Sequence, residues 1–259
     1  MINTKNKTSI ILLLLQSFIL LFSLGCSKKE SLYFEIVEIN TKSMKNCNEV
    51  ECALVEISLP SILSNHELTK NINNVIESSA SRALSDDNST AISLEKVVQD
   101  FDIEYHNIKN EFPEETSQYE ASIDGFVSFQ NENLACIELQ SYLFSGGAHG
   151  YANISYINID TRTGEKISNL DLLKEVEAFK NYAENVFRKE YKIPENESIN
   201  STGFFFEKDT FALPSAIGFT KEDVLLYYNQ YEISSYTEGA VELTLNKEKV
   251  AHFFAYDIK

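Results

Sequence analysis

The chain has 259 residues, with 22 lysines and arginines against 39 aspartates and glutamates, a formal net charge of −17 at pH 7. That balance repels phosphate backbones and anionic bilayer surfaces, which excludes nucleic acid as a partner, and it steers cationic proteins toward the surface. The length supports a sizeable core in one or two domains, and the aromatic content is tyrosine and phenylalanine with no tryptophan.

In chain order, Lys5 and Lys7 precede an apolar run over residues 10–15 that resumes over 18–22 and leads into Ser23-Leu24-Gly25-Cys26. A basic start, an apolar stretch and a small residue before the cut describe a secretory signal over residues 1–25, with an uncleaved anchor helix as the alternative. A cysteine directly after glycine matches a lipoprotein processing site, with Cys26 as the lipidated first residue and residues 26–32 as a tether. Removing the signal leaves a charge of −19. Ser27 in place of an aspartate after the cysteine points to sorting to an outer membrane. The expected location is the cell envelope, with the membrane reached only through the N-terminal lipid.

Cys47 and Cys52 bracket four residues. In an exported chain such a pair closes a small disulfide, against the alternative of two free thiols. No second cysteine pair and no nearby histidine completes a metal-binding set, so no metal and no cofactor is expected. Cys136 falls in an apolar strand pattern and reads as a small buried hydrophobe.

Residues 33–39 and 53–59 read as strands, the second ending at Pro60. Ser64-Asn65-His66-Glu67 has capping-box spacing and opens a helix with Leu68, Ile72, Val75 and Ile76 on one face. Residues 86–90 are a polar break. A second helix carries Leu94, Val97, Val98, Phe101, Tyr105 and Ile108 and ends at Phe112-Pro113. Residues 123–130 and 134–144 pair as a hairpin, Gly146-Gly147 breaks the chain, and residues 151–160 form the next strand. A third helix has the apolar stripe Leu172, Leu173, Val176, Phe179, Val186 and Phe187. Residues 204–206 and 211–213 read as short strands flanking Glu207-Lys208-Asp209. Residues 224–228 read as a buried strand and 241–245 as an alternating one. The expected class is α+β: antiparallel sheets with amphipathic helices packed on one face, in two closely packed sub-domains over residues 33–165 and 166–259.

Tyr142, Gly146-Gly147-Ala148-His149, Tyr156 to Asp160, Thr163-Gly164 and Leu170 to Leu173 together resemble a paired-domain family of bacterial extracytoplasmic proteins. Tyr231-Glu232-Ile233, Tyr236, Gly239 and the strand after them continue the resemblance, which covers roughly residues 50 to 250. The family is of unknown function. A related pair forms the extracellular, lysozyme-binding region of the anti-sigma factor RsiV, and a version of the first half precedes the catalytic domain of a PdaC-like peptidoglycan deacetylase. Nine residues before the apolar run are too few for a cytoplasmic sigma-binding segment, so that signalling route does not carry over.

The resemblance implies a lipid-anchored binding protein whose partner is a cationic cell-wall hydrolase such as lysozyme, with inhibitor, decoy or sensor roles left open. Binding would involve the glycine corner (Gly146, Gly147, His149) and the tyrosine segment (Tyr231, Glu232, Tyr236). Taken alone, His149 suits a bond that fixes the corner better than a ligand contact, and tyrosines 227, 228, 231 and 236 fit a core as well as a surface. The rival reading is a module for peptidoglycan or another cell-wall glycan, with sugars stacked on tyrosine. An enzyme is not expected. Four histidines sit at no ligand spacing, no nucleophile or phosphate-binding string occurs, and the deacetylase's catalytic domain has no counterpart. A glycan hydrolase would need acids such as Asp86-Asp87 or Glu114-Glu115 facing each other across a cleft.

Overall fold

The computed structural model describes residues 32–41, 47, 51–63, 66–84, 93–114 and 116–259. The signal segment, Cys26, Ser64 of the capping box and the polar break at 86–90 lie outside the described residues. Among the described residues no helix is long and apolar enough to cross a membrane.

The organising element is a five-stranded sheet in the order β1-β2-β3-β4-β5. Its strands are β1 (Glu35–Asn40), β2 (Leu54–Ser61), β3 (Glu120–Gln130), β4 (Leu134–Phe144) and β5 (Tyr151–Asp160). Three pairings are antiparallel, but β2 and β3 run parallel. The parallel pair follows from what lies between them: α1 (Glu67–Ala83) and α2 (Leu94–Glu111) form a crossover that returns the chain to the same end of the sheet. Strand β2 runs through Pro60 instead of stopping there. Its pairing with β3 ends at Ser58, so at Pro60 the strand has a neighbour on one side only and its missing N–H is tolerated.

Both helices begin on a side-chain cap. His66 Nδ1 accepts from the Leu68 amide at 3.3 Å, and the Ser93 hydroxyl accepts from the Lys96 amide at 3.3 Å. Their buried faces, with Ile72, Ile76, Val97 and Tyr105, meet the sheet face that carries Val55, Ile57, Ile123, Ile137 and Ile157.

The opposite face of β4 and β5 carries Leu134, Cys136 and Tyr156 and belongs to a second core. That core is completed by α3 (Asn169–Leu172), α4 (Val176–Glu190), α5 (Lys247–Val250) and the antiparallel sheet β6-β7-β8. The strands are β6 (Ala216–Phe219), β7 (Asp223–Tyr228) and β8 (Val241–Asn246). The α+β class with antiparallel-dominated sheets is therefore as expected, and β4 and β5 supply side chains to both cores. Three polar contacts fasten the two sheets: Asn158 donates to the Ile217 carbonyl at 2.8 Å, and the Asn229 side chain bonds both the N–H and the C=O of Ile154, at 2.8 and 2.9 Å.

Three sequence-based expectations need correction in this half. The third helix is interrupted: α3 and α4 are separate, and Leu173 between them forms a bridge with Phe254. Residues 204–206 and 211–213 are not strands. Phe204, Phe206 and Phe211 pack instead around the Phe187 ring, with centroids 4.9 to 5.5 Å away, while Lys208 and Asp209 take left-handed backbone conformations that no ladder accepts. Strand β6, which the chain pattern did not single out, is fully buried, and β7 alternates between buried and half-buried residues.

Candidate binding surface

At the far end of β4 the chain leaves the sheet through a loop in which Gly146 and Gly147 have φ of +95° and +91°. These values suit glycine, and they turn the chain back into β5. Gly150 is glycine for a different reason: a Cβ there would lie 2.4 Å from the tip of the Tyr142 ring, so the ring can cover the corner only over bare backbone. Between them sits His149, exposed, with Nδ1 3.3 Å from the Gly150 carbonyl.

The second segment is the β7–β8 connection. Its first residue, Asn229, is the one that holds Ile154 of β5. Glu232 folds back so that one carboxylate oxygen accepts from the Asn229 amide at 2.9 Å and the other from the Ser215 amide at 3.0 Å. Within this turn Tyr231 takes φ +66°, a conformation uncommon for a large side chain, and the residue is 54% exposed. A short serine-, threonine- and glutamate-bonded turn follows and ends at Gly239.

The two segments meet ring to ring. His149 lies nearly parallel to Tyr236, with centroids 4.2 Å apart and a 17° interplanar angle. Tyr236 in turn lies 5.9 Å from Tyr231 at 26°. Tyr151 is exposed nearby; burial raises its pKa first, and the charges of Glu232 and Tyr231 raise it further. The result is an exposed aromatic surface at the join of the two sheets, with Tyr151 beside it.

Of the residues singled out from sequence, His149, Tyr231 and Tyr236 come together. Glu232 lies among them, but both its oxygens are engaged by backbone amides, so it positions the turn. Gly146 and Gly147 line a different place, an open depression of about 480 Å³ with Ile108, Phe112 and Tyr119, whose lining includes none of the stacked rings. Tyr228 is buried and belongs to the core, donating to the Ala212 carbonyl at 2.8 Å. Tyr151 and Asn229 carried no signal in the chain pattern. Only the fold shows that one sits beside Tyr231 and that the other clamps β5.

Cys47 and Cys52 are joined as a disulfide, with Cα atoms 5.4 Å apart. Asp102 lies beside them, but the sulfurs are bonded to each other and Asp102 Oδ1 accepts from the Ala53 amide at 2.8 Å. This group is spent on structure and does not offer a metal its thiolates. Cys136 is a buried free thiol, and burial pushes its pKa up to about 11.

Residues 46–152 match the family described as Deacetylase PdaC, and residues 169–248 match the Protein of unknown function family DUF3298. Among curated proteins none matches the chain. Two solved structures share the fold. A DUF3298 family member from Bacteroides fragilis NCTC 9343 superposes with a TM-score of 0.61 at 17% identity, covering 88% of this chain and 96% of that one. A DUF3298 family protein from Pseudomonas aeruginosa PAO1 gives 0.57 at 23% identity, covering 87% and 94%.

Proposed function

From the premise that this chain is a DUF3298 family protein with a PdaC-type first half, we propose that it is a lipid-anchored envelope protein that binds a cationic cell-wall hydrolase such as lysozyme. The observation that carries this reading is the exposed His149–Tyr236–Tyr231 stack on a chain of net charge −17. Aromatic rings give large contact area at small entropic cost, and their faces accept arginine and lysine side chains. The charge supplies long-range attraction that speeds encounter. The chain acts here by holding its partner and breaks no bond. Cys26 carries the lipid in this reading, and the outer membrane is the site of action.

Retention on immobilised lysozyme tests it. Binding at low salt that weakens at moderate salt is the expected result, and no retention at either removes the proposal. The parallel rings also suit stacking of sugar rings, which supports a second reading as a cell-wall glycan module. Sedimentation with insoluble peptidoglycan separates the two, because a binder of protein alone stays in the supernatant.

A further inference from the structure

The five-stranded sheet treats its two edges differently. At β5 the Asn229 side chain takes up the N–H and C=O of Ile154, and Ile159 is bridged to Lys166, so that edge is partly filled from within the chain. At β1, which ends the strand order, no described strand pairs with the outer edge from Glu35 to Ile39. Of the usual guards of an edge only charge is present, as Glu35 and Glu38. The strand holds no lysine and no proline, and its register with β2 runs without a bulge from Glu35 to Asn40. Ile36 is 55% exposed and Val37 40% exposed; being adjacent, they point to opposite faces, so neither face of the strand is sheltered.

The chemistry beside this edge is acidic on one face. Register places Glu38 with Ser58 and Asp124, and Asn40 with Glu56 and Ser122, all on the same side of the sheet. They line an open trough of about 400 Å³. On the other face Val37 and Ile39 continue the row that holds Leu59 and Ile57. A strand laid against β1 would set alternate side chains over the Glu38 and Asp124 carboxylates and the others beside the aliphatic row.

We propose that the outer edge of β1 is a strand-addition site for an extended segment of a partner protein in which basic residues alternate with apolar ones. Main-chain hydrogen bonds would supply affinity, and the alternation would supply selectivity. Charge complementarity argues for this occupant over a second copy, because two copies would bring together two strongly anionic chains. The site is separate from the aromatic surface and does not depend on the partner proposed for it.

The test uses the full chain and a short synthetic peptide that alternates lysine with valine and threonine, beside the same peptide N-methylated at alternate residues. Amide exchange read by mass spectrometry should show protection over residues 35–40 with the first peptide only. Its affinity should exceed that of the methylated peptide by about tenfold, and Glu38→Lys should weaken it by a similar factor, since each lost charge-assisted contact is worth about that much. Equal affinity for the two peptides would mean adhesion by charge alone and overturns the proposal. So does binding without protection of β1, or no binding at all.

Discussion

The Lys247 ammonium lies 3.4 Å from the centroid of the Phe129 ring, in a residue only 3% exposed, and among the described residues none of its protons meets a hydrogen-bond acceptor. The Phe219 ring stands on another side at 5.7 Å. Phe129 belongs to the first sheet and Phe219 to the second, so the cation is held between the two by ring faces. Burial pushes its pKa down to about 8, partly offset by Cys136, Asp223 and Asp257.

A cation in such a place costs stability. The folded pKa lies below the unfolded value near 10.4, so the penalty is full below about pH 8 and is relieved as pH rises between the two values. Lys247→Met, which keeps the length of the side chain, should therefore stabilise the protein at pH 7 by on the order of 1 kcal/mol. That advantage should shrink by pH 10. Urea denaturation of both proteins at the two pH values checks it. A less stable variant at pH 7 would show that the ring contacts outweigh the desolvation.

Gly218 faces Tyr156 so closely that a Cβ would lie 2.3 Å from the ring. The ring belongs to β5 and the glycine to β6, so this contact sets how near the two sheets come. Gly218→Ala must push the ring or separate the sheets, and should cost about 1–3 kcal/mol, as overpacking does. Combining it with Tyr156→Leu should recover part of the loss, a coupling that a double-mutant cycle in denaturant reads directly.

Much of this architecture was legible in the chain because its periodicities are long. The helices at 67–83 and 94–111 and the strands β3, β4, β5 and β8 each show several turns or alternations of apolar residues. The class of fold follows from them. The parallel register of β2 with β3 was not legible, since it depends on where two helices deliver the chain. Nor was the phenylalanine-rich stretch, where Phe206 and Phe211 satisfy burial through one ring, Phe187, and need no ladder. At the surface, the chain offered His149 and Tyr236 as separate candidates more than 80 residues apart. Their stacking depends on the junction between the sheets, and Glu232 looked available only because the two amides that occupy it come from backbone.

The Asn229 side chain replaces a strand at the β5 edge, one donor and one acceptor against one carbonyl and one amide. Asn229→Ala removes both bonds and leaves a half-buried backbone pair without them. The expected loss is about 1–3 kcal/mol, with faster amide exchange at Ile154. Asn229→Asp keeps the acceptor and loses the donor, and it adds a charge near Glu232, so it should be no better than alanine. Exchange at Ile154 that is unchanged in both variants would remove the edge-closing role.

The aromatic surface makes the sharpest demand on the proposed function. His149→Ala and Tyr236→Ala remove exposed rings, so each should leave thermal stability nearly unchanged. Each should lower affinity for immobilised lysozyme by about tenfold, the usual scale for loss of an aromatic anchor. Because the two rings face each other at 4.2 Å, the double variant should lose less than the sum of the singles. Glu232→Gln should act differently: it keeps an oxygen for only one of two amides, so it should loosen the turn that carries Tyr231 and weaken binding mainly through faster dissociation. If Tyr236→Ala binds as the unaltered protein does, the stack is a packing feature and the contact surface lies elsewhere.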